Sequence, residues 1–184
     1  MAVIGPNSDG EIVGGTADAD VIDAGGGTDV VRAEGGDDVV YGGANRDRLY
    51  GGDGDDYIDG EGSNDKIDGG AGNDTLLGGG QNDRIYGGDG DDTIIGGDDG
   101  DVLYGDNAGD GNDAEGGADT FVFDADDGTD KVFDFEHGID KVMLTDGGSY
   151  TLAFNGSGDT ILTYGATTVT FFDEILDASD ILVA

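Results

Sequence analysis

From Gly15 to Val122 an apolar residue recurs at every ninth position: Ile22, Val31, Val40, Leu49, Ile58, Ile67, Leu76, Ile85, Ile94, Leu103 and Phe121. The column fails once, at Asn112. Two residues before each of these positions stands an aspartate, in twelve blocks without a gap: Asp20, Asp29, Asp38, Asp47, Asp56, Asp65, Asp74, Asp83, Asp92, Asp101, Asp110 and Asp119. Glycine dominates the first, second and fourth positions of each block, where it allows the positive-φ backbone of a tight turn with carbonyls facing inward. Positions seven to nine then predict a short strand whose middle residue enters the core while its neighbours face out.

Composition changes the picture in one respect. The 184 residues, enough for one domain or one domain with a small appendage, include 40 glycines and 43 acidic residues against 7 basic ones, a net charge of -36. Glycine at this level without a period would mean disorder, so the period decides for a repeat architecture. A compact state with no bound cation suffers severe self-repulsion. Nucleic acid and anionic membranes are poor partners, because both need basic surfaces. There is no cysteine and hence no disulfide framework. No apolar run approaches a membrane span, and Met1 to Glu11 lacks the basic and apolar regions of a leader.

Catalytic chemistry is not expected. The one histidine, His137, cannot make a multi-histidine zinc site, and neither H-E-x-x-H nor G-x-S-x-G occurs. Carboxylates are so dense that their proximity does not mark an acid/base pair. The glycine-rich turns carry aspartates that would repel phosphate.

The block G-G-x-G-x-D-x-U-x, with U apolar, resembles the RTX (repeats-in-toxin) nonapeptide, a calcium-binding parallel β-roll repeat. The resemblance implies an all-β, right-handed parallel β-roll over residues 15–122, about six coils of eighteen residues with two blocks to a coil. It implies Ca2+ between successive turns on the same edge, held by the carboxylate and carbonyl oxygens that this cation prefers. Block n then pairs with block n+2, most of the twelve aspartates serve two ions, and at most ten such pairs exist. Turn carbonyls around Gly36, Gly54, Gly72 and Gly90 join the ligand set. A chain of this kind is expected to be disordered without calcium and to fold on export into a calcium-rich medium. Alternatives are a non-catalytic module of a larger secreted protease, lipase or alginate epimerase, or a surface or polysaccharide-binding protein.

Alternate blocks separate the two edges. Gly36, Gly54, Gly72 and Gly90 hold position four on one; Asn45, Ser63, Gln81 and Asp99 hold it on the other and depart from the repeat, so the edges are expected to differ. Arg48, Lys66 and Arg84 form a basic ladder at eighteen-residue spacing beside Tyr50, Tyr86 and Tyr104. It reads either as a groove for an acidic polysaccharide, with tyrosines as a stacking platform, or as a solvated face whose cations relieve the surrounding negative charge. On the opposite sheet Tyr57, Leu77 and Ile95 are available to pack against the C-terminal segment or a partner.

Four segments follow: an N-terminal cap, 1–14, with Glu11-Ile12-Val13 as a degenerate starting coil; the roll, 15–122; a closing segment, 123–149; and a β-rich cap, 150–184. Thr120 to Leu144, TFVFDADDGTDKVFDFEHGIDKVML, resembles the segment that closes RTX rolls in secreted proteases of the serralysin type. Phe121, Val122, Phe123, Phe133 and Phe135 are expected to cap the core there, and Asp130, Asp134 and Asp140 are candidates for a further ion. YTLAF, TILTY and TTVTFF predict short antiparallel strands. The ending Asp180-Ile181-Leu182-Val183-Ala184 resembles the uncleaved signal of type I bacterial export, which implies the export machinery as a partner and an extracellular location.

Overall fold

The computed structural model describes residues 3–5, 10–106 and 116–184. Its strands alternate between two sheets. Val3–Ile4 opens the first, Ile12–Thr16 the second, and the alternation runs on through Val21–Asp23, Val30–Gly35, Val39–Tyr41 and Arg48–Asp53 to Thr129–Phe133 and Lys141–Leu144. Neighbours within each sheet are parallel along this whole length, so the chain winds as an all-β solenoid of about seven coils. Register is one coil per eighteen residues: Leu49 lies opposite Ile67 and Ile67 opposite Ile85.

The eighth position does what the pattern requires. Ile22, Val31, Val40, Leu49, Ile58, Ile67, Leu76, Ile85, Ile94, Leu103 and Phe121 are fully buried between the sheets. Strands are longer than the three predicted residues, because pairing continues through the first positions of the next block, as in Lys66–Ala71 and Thr75–Gly80. Position one also faces the core, which admits only glycine or the buried Ala24 and Ala33.

The unbroken block count misplaces one coil. Thr93 pairs with Thr120 and Val102 with Lys131, so block twelve stacks on block nine rather than on block ten. Block eleven, residues 105–113, has Asn112 where an apolar residue should be and no apolar side chain larger than that of Ala108; of its described residues, Gly105 accepts the Gly88 N–H at 2.9 Å and neither Gly105 nor Asp106 belongs to a strand. Asp110 lies outside the described residues.

Beyond Val122 the winding continues. Gly128-Thr129-Asp130-Lys131-Val132-Phe133 and Gly138-Ile139-Asp140-Lys141-Val142-Met143 occupy positions four to nine of two further half-coils, with Phe121 opposite Val142 and Leu103 opposite Val132. Phe121, Phe123 and Phe135 are buried as a cap, Phe135 packing edge-on against Phe171 with centroids 5.2 Å apart. Val122 and Phe133 do not join them, because they hold outward positions. Phe133 instead stacks between Tyr104 (5.1 Å) and Phe172 (4.5 Å) on the outside of the second sheet. Tyr150–Phe154, Thr160–Tyr164 and Thr167–Phe171 form an antiparallel meander attached to Thr129–Phe133, while Ile181–Val183 adds to the first sheet beside Lys141–Leu144. Both additions extend the sheets in their own planes. They therefore leave the outward row Leu77, Ile95, Val122 and Met143 uncovered, and Tyr57 packs on Tyr41 at 6.1 Å.

The two edges differ in backbone. Gly54, Gly72 and Gly90 have φ of 130°, 129° and 126° and Gly36 a φ of 94°, and a Cβ on Gly72 would lie 2.3 Å from the Gly54 carbonyl oxygen of the preceding coil. Asn45, Ser63, Gln81 and Asp99 sit at φ of 80°, 94°, 75° and 82°, still left-handed but open to a side chain. Gly72→Ala should cost about 1–3 kcal/mol, a fall of at least ~2 °C in Tm, while Gln81→Ala should be close to neutral. Equal shifts in thermal unfolding, in one fixed buffer, would contradict this difference between edges.

Candidate metal columns along the two edges

Each turn ends in its sixth-position aspartate, and in the middle coils its side chain bends in beside the position-one glycine of its own block, as Asp56 does beside Gly51 and Asp74 beside Gly69. One carboxylate oxygen is used at once: it accepts the backbone N–H of the aspartate one coil earlier. On the edge that leads into the first sheet the column runs Asp20, Asp38, Asp56, Asp74, Asp92, Asp119 and Asp140, with N–H to Oδ1 distances of 2.6, 2.7, 2.8, 2.7, 2.9 and 2.9 Å. On the other edge Glu11 donates to Asp29, and the column continues through Asp47, Asp65, Asp83, Asp101 and Asp130 at 2.6–2.9 Å.

The second oxygen is left over. The Oδ2 atoms of Asp29, Asp38, Asp47, Asp56, Asp65, Asp74, Asp83, Asp92, Asp101 and Asp130 are buried with no hydrogen-bond partner. At the ends of the first column the protein satisfies its own carboxylates: Thr16 donates through N–H and hydroxyl to Asp20 Oδ2, both at 2.8 Å, and the Glu136 N–H donates to Asp140 Oδ2 at 2.8 Å. The ten Oδ2 atoms between these ends have no such donor among the described residues.

Burial pushes the carboxyls of the middle coils up, against the pull of the backbone donor and with help from neighbouring like charge. Asp47 and Asp56 rise to about 6, Asp65, Asp92, Asp101 and Asp130 to about 7, and Asp74, Asp83 and Asp119 to about 8.

The donor set fits a hard divalent cation. A Cβ on Gly51 would sit 2.2 Å from Asp56 Oδ2 and 2.5 Å from the Gly69 carbonyl oxygen, and one on Gly69 would meet Asp74 Oδ2 and the Gly87 carbonyl oxygen in the same way. A carboxylate and a carbonyl oxygen thus converge beside Gly51, Gly60, Gly69, Gly78 and Gly87, with no nitrogen or sulfur among them. No three acidic or histidine side chains gather at one point among the described residues, so a cation there needs backbone carbonyls as well as carboxylates.

The structure does not gather Asp130, Asp134 and Asp140 at one point. Successive turns face opposite edges, which puts Asp130 in one column and Asp140 in the other, while Asp134 lies on the surface with Oδ1 accepting the Gly105 N–H at 2.8 Å. Asp119 likewise pairs with Asp92 and not with Asp101. A second row escaped the pattern: on the first edge position five accepts the next coil's N–H, Asp55 N–H to Asp37, Asn73 to Asp55, Asp91 to Asn73 and Ala118 to Asp91. Its signal is the Asp or Asn at position five, Asp37, Asp55, Asn73 and Asp91 on this edge, which Asn64 and Asn82 also show on the other.

Arg48, Lys66 and Arg84 are in register on the second sheet. The tyrosines beside them are not an open platform, because Lys66 Nζ lies over the Tyr50 and Tyr86 rings at 5.2 and 4.8 Å and Tyr86 stacks on Tyr104 at 4.7 Å. His137 is structural in its contacts: its Nδ1 is 2.8 Å from Oδ2 of the fully buried Asp180, which also accepts the Asp177 N–H at 2.9 Å.

Two parallel sheets wound as coils, with a column of half-satisfied carboxylates down each edge, define a cation-binding β-roll. The family model described as RTX calcium-binding nonapeptide repeat (4 copies) matches residues 14–48, 41–76 and 77–114, and the chain belongs to that family of calcium-binding repeats. No curated protein sequence matches the chain. Among solved structures, the extracellular lipase LipA from Serratia marcescens is similar at 17% identity over 97% of this chain, with a TM-score of 0.45; the chain spans 40% of the lipase's length. The AlgE6R3 subunit of the Azotobacter vinelandii mannuronan C5-epimerase is similar at 18% identity, TM-score 0.33, over 95% of this chain and 78% of its own.

Carboxyls raised from about 3.9 in the unfolded chain mean that the metal-free fold binds more protons than the unfolded state. Its stability is therefore greatest at low pH and is lost as pH rises through about 6 to 8. In a chelator, circular dichroism should show more β structure at pH 5.5 than at pH 8.5. The opposite order would mean that the orphan oxygens do not limit the metal-free fold.

Proposed function

We propose that this chain is a secreted calcium-binding protein whose folding waits for the metal. The observation that carries the reading is the set of ten buried, partnerless Oδ2 atoms. Each such group costs about 1–3 kcal/mol or more when nothing meets it, in a protein class whose whole net stability is about 5–15 kcal/mol. A divalent cation supplies the positive charge these oxygens lack. The sixth-position aspartates hold it with turn carbonyls, those around Gly36, Gly54, Gly72 and Gly90 on the first edge included, and the latch from Oδ1 to the earlier coil keeps the remaining oxygen aimed at its neighbour.

The columns enlarge the ligand set and bound the number of ions. Asp130 and Asp140 join the repeat aspartates, and seven aspartates on one edge and six on the other offer six and five neighbouring pairs. Where calcium is scarce, charge repulsion keeps the chain extended and suited to an export channel; outside the cell, millimolar calcium drives folding.

A second reading, a surface or polysaccharide-binding protein, is favoured by one observation. Of the seven basic residues, Arg32, Arg46, Arg48, Lys66, Arg84 and Lys131 lie on the second sheet or in a turn leading into it.

Circular dichroism in EDTA should give coil, converting cooperatively to β on calcium addition; a folded spectrum in EDTA at neutral pH would sink the proposal. Asp74→Ala removes a shared interior carboxylate and should raise the calcium midpoint ~10-fold or more. Asp20→Ala, at a column end already served by Thr16, should raise it far less. Equal midpoints in calcium titration would argue against shared ligands.

A further inference from the structure

We infer that the trough along the edge leading into the second sheet binds a linear acidic polysaccharide, a chain of uronic acid residues, when the roll is calcium-loaded. This rests on the calcium-dependent fold proposed above and identifies the face, the residues and the ligand class.

The trough encloses about 1000 Å³, and Arg46, Arg48, Lys66, Arg84 and Lys131 line it. Arg46, Arg48, Arg84 and Lys131 are exposed, and none forms an ion pair within 4 Å among the described residues. In a chain with 43 acidic residues, cations placed only to relieve local charge would sit on carboxylates. Lys66 does so, 3.2 Å from Asp68 Oδ2. The others stand in a row of like charge that costs stability where the strands pair.

Apart from three aspartates at its floor, the rest of the lining is uncharged and rich in hydrogen-bonding groups: Asn45, Ser63, Asn64, Gln81 and Asn82 come from positions four and five of successive turns. The opposite edge carries glycine and the exposed Asp37, Asp55 and Asp91 at the same two positions. Amides and hydroxyls suit sugar hydroxyls, and unpaired cations suit carboxylates.

Spacing selects an extended polymer. Arg48, Lys66 and Arg84 repeat once per coil, about 4.8 Å apart, close to the length of one hexopyranose residue in an extended chain, so each sugar carboxylate can meet its own coil. A single-stranded nucleic acid would need open aromatic faces for its bases, and the Tyr50 and Tyr86 rings are covered by Lys66.

The floor of the trough makes binding conditional. Asp47, Asp65 and Asp83 belong to the metal column and also line the trough. Ionised and without a cation they oppose a polyanion lying above them; neutralised by the metal they do not.

The test is calorimetric titration of the calcium-loaded protein with an oligogalacturonate of about eight residues, with a neutral malto-oligosaccharide of equal length and oligo(dT) as comparisons. Circular dichroism first establishes that each protein folds with calcium; failure there in the unsubstituted protein defeats the folding proposal separately. The expected result is salt-sensitive binding of the uronate alone, weakened ~10-fold or more in Arg48→Ala/Arg84→Ala/Lys131→Ala with the calcium midpoint unchanged. Should the triple variant not fold, Arg84→Gln should weaken binding ~3-fold. Asp37→Asn/Asp91→Asn, on the other edge, should have no effect. Undiminished binding in the cation variants, equal affinity for the neutral sugar, tighter binding of oligo(dT), no uronate binding, or loss through the Asp37/Asp91 variant, which would indicate calcium bridging, each overturns the inference.

Discussion

The roll depends on an aspartate whose two oxygens meet different fates. Oδ1 is fixed by the N–H of the coil before it, at 2.6–2.9 Å along both edges, so every coil is sewn to the last by a charge-assisted hydrogen bond. That bond removes the side chain's freedom to turn its other oxygen toward water. The same contact that stacks the coils therefore creates the deficit that a cation must fill. Stability and metal binding are one interaction seen from two ends, and the core of one residue per half-coil is too thin to carry the fold alone.

Glycine serves this arrangement in two ways. At position one, as in Gly51 and Gly69, it leaves the gap into which the carboxylate bends. At position four of the first edge, as in Gly72, it takes a φ of 129° against the backbone of the coil before. The second edge relaxes to φ near 80° and accepts Asn45 and Gln81, and those side chains build a different exterior there. Backbone geometry thus decides which edge can diversify.

Much of this was legible in the sequence because the period of nine makes each residue's place redundant with eleven others. Core, turns, basic ladder and the meander from Tyr150 to Phe171 can be read from it directly. What failed did so where counting and space part company. Block eleven keeps the aspartate at Asp110 and so keeps the count, but Asn112 gives it nothing to bury. Asp130 and Asp140 follow extra residues, which hid their membership of the columns although Gly128 and Gly138 stand two residues before them, as Gly36, Gly54, Gly72 and Gly90 do on the first edge. The orphaned Oδ2 atoms have no sequence signal of their own, since the donor that leaves them stranded belongs to the neighbouring coil.

The step from Asp92 to Asp119 bears on how such a chain can change. Because consecutive blocks face opposite ways, an added pair of blocks merely lengthens the roll, whereas a single supernumerary block acts as a spatial frameshift: the periodic text is undisturbed and everything downstream exchanges faces. Were block eleven part of the ladder, Lys131 would fall on the first sheet; as it is, Val102 pairs with Lys131, which continues the row of Arg48, Lys66 and Arg84. The core is indifferent to the exchange, since both sheets bury the same eighth position. Duplicating or losing one nonapeptide is thus a small genetic event that can transplant an exterior chemistry from one side of the molecule to the other without a change in the residues that hold it together.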